Sequence, residues 1–524
     1  MTRYKISPFG RHLKRAVLGA ALFFCVPAFA QDITLTSNGG GLEISGRFIG
    51  FDGDNIQIQS EYGPLTLRYA KVNCAGDDCP DLENYVPELR LSGASRIADV
   101  LMPALVEGFA RSQELQVNFE QTDAGFDQTL MDGDRAVSRF RFHVTNTDEG
   151  FADLLAHEAD MVLSVREVRQ TEVARARDMG LGQLDDAAQS RIIGLDALVP
   201  VVSARSNLQS ISISQLSAAF SGTLTNWSEV TGDDAAVSVH LGAVTDGQMQ
   251  RFIDSVLGVA GVTLSDKVVR HPDHASLADA VTADENAIGI LPFTDVGTAQ
   301  PIALRDACGF ISSPRLTALK TEDYPLTAPL FLYMPSRRLP ALAREFLAWM
   351  RGPQAQLVVR RAGFVDQGAV PIPLDAQGQR FANAIAQAGE DVSLGELQRM
   401  VRVLKPRTRL SLSFRFEVGS TRLDAVSRTN LLAVAQGIRD GDYAGQSLMF
   451  VGFSDARGAP LPNRDLSSAR AEAVKRELTD VLGALPDEVT IESEAFGEAL
   501  PLGCDDTEWG RQMNRRVELW VAEK

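Results

Sequence analysis

The chain has 524 residues and a formal net charge of −17, so it is too long for one hydrophobic core and is expected to form two to four domains. That acidity argues against nucleic acid or an anionic membrane surface as a partner. Past the first thirty residues no stretch is apolar and long enough to cross a bilayer as a helix, and no series of alternating ten-residue segments suggests an outer-membrane barrel.

Residues 1–30 read as a secretory signal peptide. Arg3, Lys5, Arg11, Lys14 and Arg15 form a basic start, residues 16–26 an apolar core too short to span a bilayer, and Ala28-Phe29-Ala30 a cleavage box. Cys25 lacks the small residues that precede a lipidated cysteine. Four cysteines remain beyond the leader, and an even count in an exported chain favours disulfides. Cys74 and Cys79 are expected to pair across a tight loop. Cys308 and Cys504 either pair or stay free; their spacing does not decide. Residues 31–85 read as a small β domain: ITLT, LEISGRFIGF, NIQIQS and PLTLRYAKV are strand-like and separated by Asn/Gly, Asp/Gly and Gly/Pro turns. No chemistry is visible in it, so it reads as a packing or adaptor module.

From residue 86 to 374 strands and helices alternate, the rhythm of an α/β domain. The strand at Leu89 runs through Ser92-Gly93-Ala94-Ser95 into an amphipathic helix. Small residues entering a helix leave free backbone N–H groups that suit an anion, which marks Ser95 and Arg96. Ser164 closes the strand that follows Ala159-Asp160. Further along come LSAAFSGTLTNW (216–227), AIGI (287–290), Tyr324-Pro325-Leu326 and FLAWMRGPQAQLVVRRAGF (346–364). In this order the motifs resemble the phosphate-binding subfamily of periplasmic solute-binding proteins. The resemblance implies two α/β lobes of the type II kind, joined by crossings near residues 199–203 and 291–294, that close on a ligand by hinge motion. It also exposes a departure. Gly242 stands where the family has an Arg, and Asp246-Gly247-Gln248 stand where it has Ser-Gly-Thr. A like-charge pair at about 4 Å costs about 4 kcal/mol at an effective dielectric near 20, roughly three decades of affinity. Asp246 and Gly247 are therefore site positions at which tight phosphate binding is not expected. Arg96 could supply the missing charge, although an exposed arginine at a helix start is the commoner case. A small anion, another solute, or no ligand at all are the alternatives.

Residues 375–409 read as a helical connector. Ser393 caps a helix whose apolar positions are Leu394, Leu397, Val401 and Leu404, and such a connector would space the flanking domains. Residues 410–524 open on a half-buried strand, Leu410, Leu412, Phe414 and Phe416 alternating with polar residues. Then VGFSDARGAPLPNRDLSSARAEAV (451–474) gives an apolar strand, a loop from Ser454-Asp455, and a helix opening near Asn463. Leu466, Arg470, Val474 and Leu478 share one helical face, so Arg470 sits on the apolar side. A buried guanidinium costs several kcal/mol unless paired, and Asp455 is the nearest candidate carboxylate. The segment resembles the OmpA-like peptidoglycan-binding domain through Gly452-Phe453-Ser454-Asp455, Asn463, Leu466-Ser467, Arg470-Ala471, Gly497-Glu498, Pro501, Gly510-Arg511 and Asn514-Arg515-Arg516-Val517. That implies an α/β sandwich with helices on one face. It also implies that Asp455 takes the ammonium and Arg470 the carboxylate of diaminopimelate in the peptidoglycan stem peptide, with Asn463 beside them. Arg515 and Arg516 would be structural.

No nucleophile elbow, phosphate-cradling loop or HExxH motif appears, so no catalytic residue, metal or cofactor is expected. His271 and His274 read as a solvated loop, and Arg135, Arg139 and Arg141 as a solvated strand face. The expectation is an exported, periplasmic α/β multidomain protein at the peptidoglycan and outer membrane. It would be tethered non-covalently through its C-terminal domain and carry a solute-binding-like domain. The alternatives are an envelope scaffold without a small ligand, and a wall-anchored phosphate-capture protein.

Overall fold

The computed structural model describes residues 32–52, 54–77, 79–81, 85–389, 391–417 and 422–523; the leader at 1–30 lies outside them. The chain divides into two compact units, residues 1–49 with 54–82, and residues 50–53 with 83–524. The first is a five-stranded sheet of Asp32–Ser37, Glu43–Phe51, Asn55–Ser60, Gly63–Arg68 and Val72–Ala75, in which the last strand returns antiparallel beside the first. Ile33, Leu35, Ile56 and Ile58 are its buried apolar side chains among the described residues. Cys74 and Cys79 are disulfide-bonded.

The long strand Ser190–Val202 organises the second unit. Residues 190–197 pair antiparallel with Thr327–Tyr333, and residues 198–202 pair antiparallel with Ala287–Pro292. One half therefore belongs to each lobe. In lobe one the sheet continues through Met161–Ser164, Glu88–Ala94, Arg135–Thr145, Gly125–Asp132 and Gln116–Thr122. Helices Met102–Ser112, Ala341–Trp349 and Pro353–Arg361 pack over it around Phe109, Phe140 and Phe346. Lobe two adds Ser238–Leu241 and Val269–Arg270, with helices Ile213–Ser221 and His274–Ala283. The first crossing is at Ala197-Leu198. The return is at Leu326-Thr327, where the Leu198 amide donates to Leu326 O at 3.0 Å, and not at residues 291–294. There the chain only touches the junction. Thr294 is held by Asp196, and the chain turns back so that Gln300–Pro301 pairs with Val201 and Val202.

The C-terminal sheet runs in the order Pro371–Ile372, Thr408–Phe414, Arg516–Glu523, Gln446–Phe453, Thr490–Ala495. Helices Ala425–Asp440 and Pro460–Leu482 bury Val434, Val474 and Leu478 against Leu448 and Phe450. The opposite face carries Met449, Val451, Phe453 and Trp520, covered by Leu397, Met400 and Leu404 of helix Leu394–Leu404. The expected connector is thus a third layer, and helices lie on both faces. A strand apolar at every position needs cover on both sides.

This domain is docked on the central one rather than spaced from it. Cys308 and Cys504 are disulfide-bonded. Arg409 reaches Asp323 at 2.9 Å, and Arg415 donates to the carbonyls of Thr321 and Glu322. Behind Arg409, the fully buried Glu518 is surrounded by Arg380, Arg409 and Arg516.

Candidate functional site

In the C-terminal domain the signature residues converge at the end of strand Gln446–Phe453. Helix Pro460–Leu482 approaches this strand closely because residue 452 is glycine: a Cβ there would lie 2.0 Å from Ser467 O. Ser467 Oγ in turn accepts the Gly497 amide, and the Ser454 amide donates to Gly497 O. Asn463 is buried and donates to Glu498 Oε2 at 3.3 Å. The buried helix face is Asn463, Ser467, Ala471, Val474 and Leu478; Leu466 is exposed, and Arg470 lies at the margin of that face.

The expected Asp455–Arg470 ion pair is absent. Asp455 Oδ2 is bound by Arg515 Nη1 at 2.8 Å, and Arg515 also holds Glu508. Both expected structural arginines are ion-paired: Arg515 touches the candidate site through Asp455, and Arg516 is clamped to Glu518. Arg470 lies over the Phe416 ring at 5.5 Å, and its buried Nη1 has no hydrogen-bond partner. Burial and the neighbouring Arg515 lower the Arg470 pKa against the pull of Asp455. Two more buried oxygens in this region, Ser454 Oγ and Glu498 Oε1, are also unpartnered. The site thus holds an anchored carboxylate and a guanidinium with a free donor, complementary to a zwitterion.

In the central domain three of the predicted positions, Arg96, Asp246 and Gly247, meet between the lobes. Gly247 opens helix Gly247–Phe252, and a side chain there would begin 3.3 Å from Val165 Cγ2, 3.8 Å from Thr147 Oγ1 and 3.9 Å from Ala94 Cβ, all of lobe one. The half-buried Arg251 donates to the carbonyls of Val165 and Thr327. Asp246 caps its own helix through Gln248 N, and its other oxygen binds His274 Nε2 at 2.6 Å. His274 Nδ1 binds Asp295 at 2.7 Å, and Asp295 binds Arg96 at 3.0 Å. Arg96 also donates to Thr294 Oγ1. This chain of alternating charges absorbs the Arg96 cation expected to be available, and makes His274 a buried link rather than a solvated loop. His271 is likewise engaged, with His240 at 2.9 Å.

Ser164 is turned into its own loop, where its hydroxyl donates to Arg166 O. Ser95 stands at the entry to the helical segment, partly exposed. Gly242 has no room for a side chain, because Met249 Cγ lies 2.9 Å from where its Cβ would be. Arg270 was missed in the sequence. It donates to Gly242 O at 2.8 Å and so brings a guanidinium beside residue 242. Among the described residues it has no carboxylate partner. Its only sequence signal was adjacency to His271. The Arg96 Nε and both polar side-chain atoms of Gln248 are buried without partners.

Elsewhere in lobe one Ser92, His143 and Asp153 come together. Ser92 Oγ and His143 Nδ1 both bond the same Asp153 oxygen. The serine proton is directed at the carboxylate, so this is not the relay that activates a nucleophile. Arg139 and Arg141 pair with Glu88 across the neighbouring strand instead of being solvated alone.

Residues 86–353 match the PBP superfamily domain, and residues 415–515 match the OmpA family. Protein SphX of Synechocystis sp. is 25% identical over 198 residues, 35% of this chain and 56% of that protein, so the chain spans just over half of that relative's length. Among solved structures, an ABC-type phosphate transport receptor from Vibrio cholerae has a TM-score of 0.42 at 16% identity, covering 53% of this chain and 99% of that one. A possible phosphate binding protein from Planctomyces limnophilus has a TM-score of 0.40 at 15% identity, covering 58% of this chain and 100% of that one.

Proposed function

The chain belongs to the PBP superfamily and carries an OmpA family domain behind it, and from that premise we propose that it is an exported envelope protein tethered non-covalently to peptidoglycan, with a solute-binding central domain. The observation that carries the tether is the split of charges in the C-terminal site. Asp455 is fixed by Arg515, while Arg470 keeps a donor without a partner. An ammonium and a carboxylate on one diaminopimelate centre fit that pair. The location proposed is the periplasmic face of the wall, near the outer membrane. The test is co-sedimentation with isolated sacculi. Asp455→Ala and Arg470→Ala should each abolish pelleting while circular dichroism is unchanged; undiminished pelleting of both would make the pair merely structural.

For the central domain the reading is a solute site of modest anion affinity. Arg96 is neutralised by Asp295, and Asp246 is bound by His274. The unpartnered atoms of Gln248 and Arg96 favour a ligand site over a bare scaffold. One observation favours the rival reading of wall-anchored phosphate capture: Arg270 at Gly242. Calorimetry with inorganic phosphate on the full chain decides between them. Binding weaker than micromolar, or none, is expected. Micromolar or tighter binding that is lost in Arg270→Gln would establish phosphate capture instead.

A further inference from the structure

Outside both sites, lobe one carries a groove of about 440 Å³ between its first helix and the edge hairpin. Asp99 and Glu107 form one wall, on the same side of the helical segment that spans Ile97–Leu101 and Met102–Ser112. Phe119 and Phe126 form the floor, and Gln121 and Gln128 complete it. We propose that this groove binds an organic ammonium group, either a free amine or the side chain of a lysine.

The lining is complementary to a cation with an apolar stem. No lysine, arginine or histidine lines the groove. Neither Asp99 nor Glu107 has an ion pair among the described residues, and Arg96, whose charge reaches Asp99, is already bound to Asp295. Burial raises the Asp99 pKa, a penalty that an incoming cation relieves. The Gln121 amide nitrogen is committed to Gly125 O at 2.6 Å, which leaves its oxygen as an acceptor. Gln128 is only 2% exposed, and its amide oxygen has no partner. A buried, unpaired acceptor of this kind is uncommon in a settled surface.

The aromatic floor points the same way. Phe119 is 62% exposed on an edge strand, stacked on Phe126 at 5.1 Å, which is stacked on Phe142 at 4.6 Å. A phenyl face left open beside two unpaired carboxylates attracts a cation by its quadrupole and an alkyl chain by burial. An anion would meet the two carboxylates. A metal ion would find two carboxylates at opposite ends of the wall and an aromatic floor, and among the described residues no cluster suited to a metal is present.

The test is calorimetry of the full chain with cadaverine, with N-acetyl-lysine methylamide, and with 1,5-pentanediol as the uncharged analogue. Saturable binding of at least one amine and none of the diol is expected, weakened at least fivefold by Phe119→Ala and by Glu107→Gln and reduced by added salt. Both substituted residues are exposed, so the fold is not at stake. Tighter binding of the lysine derivative assigns the groove to a partner protein, and tighter binding of cadaverine to a free amine. Absence of heat with both amines overturns the proposal. So does equal binding by both variants, which would place the amine elsewhere, or equal binding of the diol.

Discussion

Asp455 is held by Arg515 at 2.8 Å and not by Arg470. The two arginines therefore have different tasks. Under the proposed tether, Arg515 would orient the carboxylate and Arg470, whose buried Nη1 has no partner, would meet the ligand. Arg470→Lys keeps the charge but loses the planar fork, and it should lose most of the sacculus affinity that Arg470→Ala loses. With charge-assisted hydrogen bonds worth ~1.5–3 kcal/mol, that loss is roughly 10–150-fold. Arg515→Gln should weaken binding by a smaller factor, because Asp455 survives without its anchor. Full affinity of Arg470→Lys in a sacculus titration would contradict this division.

The candidate C-terminal site is also braced from the central domain. Asp306 accepts the Cys504 amide at 2.7 Å, next to the Cys308–Cys504 disulfide. The adjacent Asp505 accepts the Ala456 amide and the Asn514 side chain, which flank Asp455 and Arg515. Cys308→Ser with Cys504→Ser should lower thermal stability, by ~2–4 kcal/mol in the transition that undocks the C-terminal domain. It should also weaken sacculus binding severalfold. Unchanged affinity with lowered stability would show that the brace serves docking alone.

Glu518 sits fully buried among Arg380, Arg409 and Arg516. Burial alone would raise its pKa, but the three guanidinium groups outweigh that and hold it far below the usual carboxylate range. Burial in turn lowers Arg516 to about 10. Removing one partner strands a charge, so Arg409→Ala should cost about 3–5 kcal/mol. It also severs the Asp323 contact between domains. A loss below about 1 kcal/mol in chemical denaturation would mean that water replaces the guanidinium freely.

Much of this was legible in residues. The strand of Leu448 to Phe453 and the Gly452, Asp455, Asn463 and Arg470 signature mark the C-terminal fold, because close approach and burial each restrict residue type locally. What stayed hidden was long-range. Cys308 and Cys504 are separated by 196 residues, and no local pattern ties them. The Arg515 contact with Asp455 depends on how the last strand meets the Asp455 loop, which no local pattern shows. His274 looked solvated beside Pro272, since neither Asp246 nor Asp295 is its sequence neighbour. The connector helix was visible by period, but which sheet face it covers depends on Met449, Val451 and Trp520 from other strands.

His274 makes the cleft pH-sensitive in a defined direction. Burial pushes its pKa down, but hydrogen bonds and charges from Asp246 and Asp295 outweigh this and raise it to about 9. With both ring nitrogens donating to carboxylates, the folded state prefers the imidazolium. Below about pH 6.5 the ring is charged whether folded or not, so its stabilisation is fully present there. It is lost as pH rises through 9, because the folded protein must then give up the proton or its two partners. The shift corresponds to about 3 kcal/mol as an order of magnitude. The melting temperature of the central domain in the intact chain should therefore fall between pH 6.5 and 9.5. In His274→Gln it should start lower and change much less over that range. Parallel profiles for the two proteins would show that the ring stays neutral between Asp246 and Asp295. Such a neutral ring donates only one of its two hydrogen bonds, and one carboxylate would then face it as an unpaired acceptor.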